Sequence, residues 1–495
     1  MSAQAADPIG LGPSPSVDLE VELGSRGSDR AHVRNINFAS WFLGLALAVG
    51  IFLVFTQPPG QGLDEQNHFL RTWTLAHGAI VAPIVHGRAG GQVPLCITHY
   101  FSHFQQYSLS TKAFSIDQYW QVPRACNTTA RFTSFDNTAL NSPIPYVPTA
   151  VIVALLRALG GSLPLVFFGG RLAALLAYVA IAYTAIRIAP VGKQVLFVVG
   201  LFPTTLLLAS SYSEDTMSIS LSMLAVALTL HCCRSANANR RSFLILVAVL
   251  AALALAKSTM IVVFPLVFVV PLSVFGESRR PRLQQWCAAG LIVLFAMIWY
   301  SIARNISLDS YLPAGPGHPL QPHVQQAYVL HHPVGFLVIL LRSIFLGQNQ
   351  YYPVSGYFAA IGYYRPTVKD GNFAPLGLVA LGTAVLTCSY AAMTGSRRSL
   401  SNSERVLAWY PVVLTIAGTL LIEIAFWVYW TPPGWRSILG VQGRYFLALT
   451  VFPAITVGIF REPRTPTIFS RFILGGTMIG LVWIVLKVLS HDFGV

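Results

Sequence analysis

Ser242–Phe275 reads SFLILVAVLAALALAKSTMIVVFPLVFVVPLSVF, 34 residues with one charge, Lys257. About 20 apolar residues wound as a helix cross the hydrocarbon core of a bilayer. The stretch therefore predicts two minimal spans joined with almost no loop. Similar runs recur along the chain. Of its 495 residues, 54% are hydrophobic and only 10% are charged, against about 25% charged in globular domains. That balance excludes a soluble enzyme and a disordered or fibrous chain. The alternating ten-residue segments of an outer-membrane barrel are missing. The predicted fold class is all-α: a polytopic transmembrane helical bundle.

The formal net charge is +14, which would suit a nucleic-acid binder. The placement of the charges argues against that. Lys and Arg sit in short clusters between apolar runs, as the positive-inside rule predicts, and no basic stripe is interleaved with aromatics. Residues 1–35 are rich in Gly, Ser, Pro and acids and read as a disordered cytoplasmic tail. Residues 36–495 read as a single transmembrane domain. Arg26, Arg30 and Arg34 precede the first run, Phe38–Thr56, and set the N-terminus inside.

Five further basic turns test this orientation. They hold Arg187 and Lys193; Arg234, Arg240 and Arg241; Arg279, Arg280 and Arg282; Arg397, Arg398 and Arg405; and Arg461, Arg464 and Arg471. With all five cytoplasmic, the spans are 38–56, 165–187, 194–211, 215–233, 242–256, 258–275, 285–303, 374–394, 406–428, 445–460 and 470–490. Pro143–Leu159 and Pro333–Leu346 are short, begin at prolines and read as helices in or dipping into the outer interface. Counting both as crossings raises the total from about 11 to about 13.

Two long loops then face outward, 57–142 and 304–373. The first predicts juxtamembrane helices, and its length marks it for function. Cys96 and Cys126 both lie in it, where an oxidising compartment would let them pair. The inner loops are short, and no Gly-rich phosphate loop ending in Lys-Ser/Thr occurs in the chain.

Acids are scarce, with 18 Asp and Glu in all. Asp64-Glu65 follows Pro58-Pro59-Gly60-Gln61-Gly62-Leu63 at the start of a predicted helix. One reading is a helix cap. The other is general-base work at the membrane surface, with His68 beside the pair. Glu214-Asp215 offers the same choice between a cap and a group that orients a ligand. Two acid pairs on one face are also a donor set for a divalent cation. Lys257 reads either as a snorkelling hairpin tip or as a cation at lipid-phosphate depth. Arg444, with Tyr445 beside it, opens a span from the outer side, where topology does not call for a cation. Its forked donors suit phosphate. Arg365 is a weaker candidate of the same kind. Glu423 lies inside a span, a functional position by default.

Several stretches carry a resemblance when taken in order. They are Pro58-Pro59 with Asp64-Glu65 and His68-Phe69-Leu70-Arg71; Asn141-Ser142-Pro143-Ile144-Pro145-Tyr146-Val147-Pro148; Gly170-Arg171-Leu172; Ser211-Tyr212-Ser213-Glu214-Asp215; Lys257; and Gln442-Gly443-Arg444-Tyr445-Phe446. From about Gln57 to Phe460 the chain resembles a family of bacterial polytopic membrane proteins of unknown function. That family in turn resembles the GT-C superfamily of integral-membrane glycosyltransferases.

The resemblance implies a polyprenyl-phosphate sugar donor, a saccharide or glycolipid acceptor and an active site on the outer side of the bacterial inner membrane. It casts Asp64 as the base, Glu65 as its positioning neighbour, Asp215 as the second acidic position and Arg444 as the phosphate ligand. His68, Glu214, Lys257, Arg365, Glu423 and Tyr445 complete the binding candidates. One carboxylate suffices for inversion by direct attack. The rival expectation is a transporter or flippase of a lipid-linked saccharide.

Overall fold

Lipid offers no partner to backbone N–H and C=O groups, so an apolar chain crosses it as helices that satisfy their own hydrogen bonds. The computed structural model follows that rule across the residues it describes, which are 36–109, 115–120, 129–306, 319–345, 396–462 and 467–489. Among these, seven helices are long and apolar enough to span. An eighth crossing arises if the bent pair Pro322–His331 and Pro333–Ser343 counts as one. The protein is an all-α polytopic membrane protein.

The first span is α1, Phe38–Thr56. After it the chain builds a folded excursion instead of a loose loop. Helix α2, Glu65–Ala76, packs beside a three-stranded antiparallel sheet of β1 (Ile84–Val85), β2 (Arg88–Pro94) and β3 (Ala130–Ser134). The β2–β3 register runs from Gly90 opposite Ser134 to Pro94 opposite Ala130. A side chain at Gly91 would collide with Thr74 of α2, so glycine lets the sheet lie on the helix. Helix α3, Leu95–Leu109, follows β2, and the short α4, Asp136–Ala139, follows β3. Buried Asp136 accepts from Arg88 Nε and from the Ala89 amide, both at 2.6 Å, and so pins sheet to helix. Cys96 is disulfide-bonded; Cys126 lies outside the described residues.

The Pro143 stretch is a 3₁₀ turn, Ile144–Tyr146, and α5, Val147–Ala158. Twelve helical residues reach about 18 Å, too short for a full crossing. The bundle continues with α6 (Leu163–Ile188), α7 (Lys193–Gly200), α8 (Pro203–Ala209), α9 (Glu214–Arg234) and α10 (Arg240–Ala256). The expected span 194–211 is thus two helices. Pro203 supplies no N–H and opens a new helix at its first turn.

The expected span 258–275 is also not α-helical. It forms 3₁₀ helices over Ser258–Phe268 and Leu272–Phe275, with Pro265 inside the first and Pro271 before the second. Gln285 Nε2 donates to Val267 O and Val270 O at 3.1 and 2.9 Å, satisfying carbonyls that the break leaves open. The segment still runs the length of α10. Lys257 caps one end of that helix, and Phe275 packs on Phe243 at the other, ring centroids 4.7 Å apart.

Beyond it come α11 (Pro281–Ala303), α12 (Pro322–His331) and α13 (Pro333–Phe345), the last two meeting at a bend of 108°. The bend agrees with a Pro333 helix that is no ordinary span. The final described helices are α14 (Asn402–Trp430), α15 (Leu447–Thr450), α16 (Pro453–Phe460) and α17 (Thr467–Val488). The expected tail 1–35, the span 374–394 and most of the second long loop lie outside the described residues.

Helix α9 organises the two ends of the bundle. Its 21 residues measure about 31 Å at 1.5 Å per residue. At its last turn Arg234 Nη1 donates to Gly458 O at 2.6 Å and Arg461 O at 3.0 Å. There β4 (Ser396–Arg397) pairs with β5 (Arg461–Glu462). Three basic turns therefore gather at one end of α9, and Glu214-Asp215 stands at the other.

Candidate functional site

The chain leaves α1 through Pro58-Pro59-Gly60, with Gly60 at φ +80°. It enters α2 through Asp64, whose φ of 57° is left-handed. Asp and Asn tolerate that region better than most residues. Asp64 holds the N-cap position of α2 yet makes no side-chain cap bond. Its carboxylate turns away from the helix, and Oδ2 accepts from Arg444 Nη2 at 2.5 Å. The cap reading of Asp64 therefore fails, and strain of this kind is concentrated at functional sites.

Arg444 sits in a 3₁₀ turn, Gly443–Phe446, that leads into α15. It also donates to Leu63 O at 3.3 Å and to the Tyr445 hydroxyl at 3.2 Å, and its Nε lies 3.7 Å from Asp215 Oδ2. Asp215 is in the first turn of α9, where Ser213 is the cap and accepts from the Asp215 amide at 3.2 Å. The cap expected at Glu214-Asp215 thus falls one residue earlier, freeing both carboxylates. Asp215 Oδ1 pairs with Lys257 Nζ. The Tyr445 ring sits under both cations, with Lys257 Nζ 4.7 Å and Arg444 Cζ 5.0 Å from its centroid. Its other neighbour is Phe426 of α14, stacked at 5.1 Å.

The second half of the cluster centres on His68, one turn into α2. Its Nε2 lies 2.8 Å from Glu214 Oε2, and its Nδ1 is 2.8 Å from the Tyr146 hydroxyl. Burial, and then the negative charge of Glu214, hold the Tyr146 phenol well above its ordinary pKa, so it stays protonated. Asn141 Nδ2 donates to the same hydroxyl at 3.1 Å. Ser142 Oγ donates to Leu255 O at 2.7 Å, drawing the Asn141–Pro148 stretch to the Lys257 end of α10.

Glu65 goes elsewhere. Its carboxylate is fully buried and takes a two-pronged bond from Arg171 of α6, with Nε to Oε1 and Nη2 to Oε2 both at 2.7 Å. Amides of Gly60, Gly62 and Tyr212 fill the remaining oxygen sites at 2.9, 3.4 and 3.3 Å. Glu65, expected beside Asp64 as the residue that positions a ligand, is fully buried against Arg171. The reason is geometric: consecutive residues at a helix start point about 100° apart.

Exposure separates the members of the cluster. Side chains of Asp64, Glu214 and Lys257 are 17%, 12% and 12% accessible, whereas Arg444 and Asp215 are each 2%. Solvent thus reaches two carboxylates and one amine of the cluster in part, and the Arg444 guanidinium hardly at all. Glu423 is buried in α14 outside this set, its Oε2 without a hydrogen-bond partner among the described residues. It lies three residues from Phe426, about 4.5 Å along the helix. Arg365 lies outside the described residues. Among the described residues no group of three or more His, Cys, Asp and Glu side chains is arranged to hold a metal ion.

Sequence reasoning assigned no role to Arg171, Tyr146 or Asn141. Arg171 carried a usable signal, a charge within an apolar run. Tyr146 and Asn141 carried none, because their work depends on which histidine the fold brings to them.

None of the curated proteins compared matches the chain. Residues 47–452, a range that holds the whole cluster, match the family described as predicted membrane protein (DUF2142), and the protein belongs to that family.

Proposed function

We propose that the protein is a membrane glycosyltransferase of the GT-C type. It transfers a sugar from a polyprenyl-phosphate-linked donor to a saccharide or glycolipid acceptor in building the cell envelope. The observation that carries this reading is one cluster that joins the carboxylates of Asp64, Asp215 and Glu214 to the cations Lys257 and Arg444, with Asp64, Glu214 and Lys257 partly accessible. Displacing a polyprenyl phosphate requires a carboxylate to take the acceptor proton and cations to receive the leaving phosphate. The cluster holds both kinds of group.

In the proposed reaction the acceptor oxygen attacks the anomeric carbon, and the bond from that carbon to the phosphate oxygen breaks. The acceptor proton passes to Asp64, and the polyprenyl phosphate leaves carrying its negative charge. Lys257, the more open cation, meets the phosphate first. Arg444 joins as Asp64 turns towards the acceptor. One carboxylate acting by direct attack gives inversion. The gathering of basic turns at the far end of α9 supports an extracytoplasmic site, with the N-terminus cytoplasmic, in a bacterial inner membrane.

One observation favours a carrier of lipid-linked saccharide instead: Glu423, a buried carboxyl within a span, whose Oε2 has no hydrogen-bond partner among the described residues. Purified protein in liposomes, given a radiolabelled polyprenyl-phosphate sugar and envelope saccharide acceptors, decides between them. The transferase reading expects label on the acceptor and free polyprenyl phosphate. Movement of the intact donor between leaflets, with no label transferred, would replace it by the carrier reading.

A further inference from the structure

We infer that Gly170 and Arg171 of α6 are positioning residues that set the spacing between the two acidic motifs, Asp64 on one side and Glu214-Asp215 on the other. The proposal names no ligand, but the kinetic part of its test rests on the transferase reading above.

All five N–H donors of Arg171 are engaged. Nε and Nη2 reach Glu65; Nη1 reaches Val54 O at 2.9 Å and Gln57 O at 2.5 Å; Nη2 also reaches Pro58 O at 3.2 Å. One buried guanidinium therefore closes the end of α1 and the whole turn that delivers Asp64. Glu65 extends the same hub to the second motif, because Oε1 accepts from the Tyr212 amide, two residues before Glu214. Both side chains are fully buried, so neither meets a ligand.

Gly170 fixes the other contact. A side chain there would collide with the Tyr212 hydroxyl, which donates to Phe167 O on the same helix at 2.9 Å. Tyr212 thus lies against α6 only because residue 170 lacks a β-carbon. The two loops also touch directly: a β-carbon built at Gly62 would stand 2.9 Å from Ser211 Cβ. The pair Gly170-Arg171 sets how far apart the loops stand, and hence how Asp64, Asp215 and Arg444 meet.

The geometry provides a reporter that needs no activity. In the full chain with Cys232, Cys233, Cys287 and Cys388 replaced, Gly62→Cys with Ser211→Cys sets two thiols across this contact, and a small shift from 2.9 Å to the roughly 3.5–4.5 Å between the β-carbons of a disulfide lets them oxidise. The positioning role is tested with the double variant Glu65→Gln, Arg171→Met, which removes both buried charges together and so leaves neither stranded. Three readouts are compared in detergent: thermal unfolding, the rate of 62–211 cross-linking, and kcat against KM for a polyprenyl-phosphate sugar.

The expected result is a folded protein that cross-links at least tenfold more slowly. Its kcat falls about 10²-fold, the scale of a misplacement near 1 Å, with KM little changed. A folded double variant that cross-links at the parental rate with parental kcat would overturn the inference and leave the pair a stabilising contact only. If the double variant does not fold, Gly170→Ala decides, since it keeps the ion pair and pushes only Tyr212. Slower cross-linking supports the inference, and parental cross-linking overturns it. Absence of turnover in every form, wild type included, would count against the transferase reading alone, and cross-linking would still settle the positioning role.

Discussion

Asp64 Oδ2 and Arg444 Nη2 meet at 2.5 Å although 380 residues separate them in the chain. The bond joins the turn after the first span to the turn before α15. It also removes the ambiguity of an acidic residue at a helix start.

Asp64→Asn keeps the shape, tolerates the left-handed backbone and forfeits no cap bond, because none is made. The fold should survive with some loss of stability, because buried Arg444 loses the charge of Asp64 but keeps Asp215 3.7 Å away. If Asp64 is the base, turnover should fall by roughly 10²–10⁴-fold. Asp64→Ala should in addition lose about 1–2 kcal/mol, from the left-handed conformation that alanine tolerates poorly. Turnover and thermal unfolding measured side by side check both; near-normal turnover in Asp64→Asn would move the base to Glu214.

Arg444 and Lys257 should differ in kind. Arg444 is buried, so its truncation carries a structural cost. Arg444→Ala leaves Asp64 and Asp215 without their shared cation and should destabilise by about 3–5 kcal/mol. Arg444→Lys restores charge without the fork and should recover part of the stability and less of the donor use. Lys257→Met, at a more open position, should fold and show a donor KM raised roughly tenfold, the scale of a ~1.4 kcal/mol loss. Unchanged donor KM in Lys257→Met would remove it from the phosphate site.

Tyr146→Phe deletes one hydroxyl from the chain Asn141–Tyr146–His68–Glu214. Both His68 Nδ1 and the Asn141 amide lose a partner in a buried setting, which should lower stability by about 1–3 kcal/mol. Thermal unfolding tests this, and a shift near zero would show that water replaces the hydroxyl.

Orientation can be checked with an impermeant thiol reagent in intact cells. Cysteines at Ala236 and Ser396, both exposed near the basic end, should be shielded. A cysteine at Ile84, which is 45% exposed on β1, should react. Labelling at Ala236 from outside would invert the topology and the sidedness of the site.

What was legible from sequence depended on the range of the interaction. Apolar length exposed the bundle, and charge placement separated its ends. Proline punctuation was underweighted. Pro203 splits one expected span, and Pro265 and Pro271, set among β-branched residues, turn another into 3₁₀ helix. Seven of the ten candidate site residues fell into one cluster: Asp64, His68, Glu214, Asp215, Lys257, Arg444 and Tyr445. Their pairings could not be read, since the partner of Asp64 is a matter of tertiary packing. Asp64 and Glu65 look alike in sequence and diverge in space, one toward Arg444 and the other toward Arg171. Arg171 was passed over because a charge inside a span shows its role only when its partners are known.

Each acid of the two dipeptides has its own basic partner: Asp64 with Arg444, Glu65 with Arg171, Glu214 with His68, Asp215 with Lys257. Asp215 lies 3.7 Å from Arg444 as well, so the pairs interlock and the cations of the cluster are already engaged by carboxylates. If the cluster receives a donor phosphate as proposed, that phosphate takes over a cation that a carboxylate now holds. On the transferase reading, seating the phosphate and releasing the base are then one event, because the carboxylate that gives up its cation is the one left able to accept the acceptor's proton.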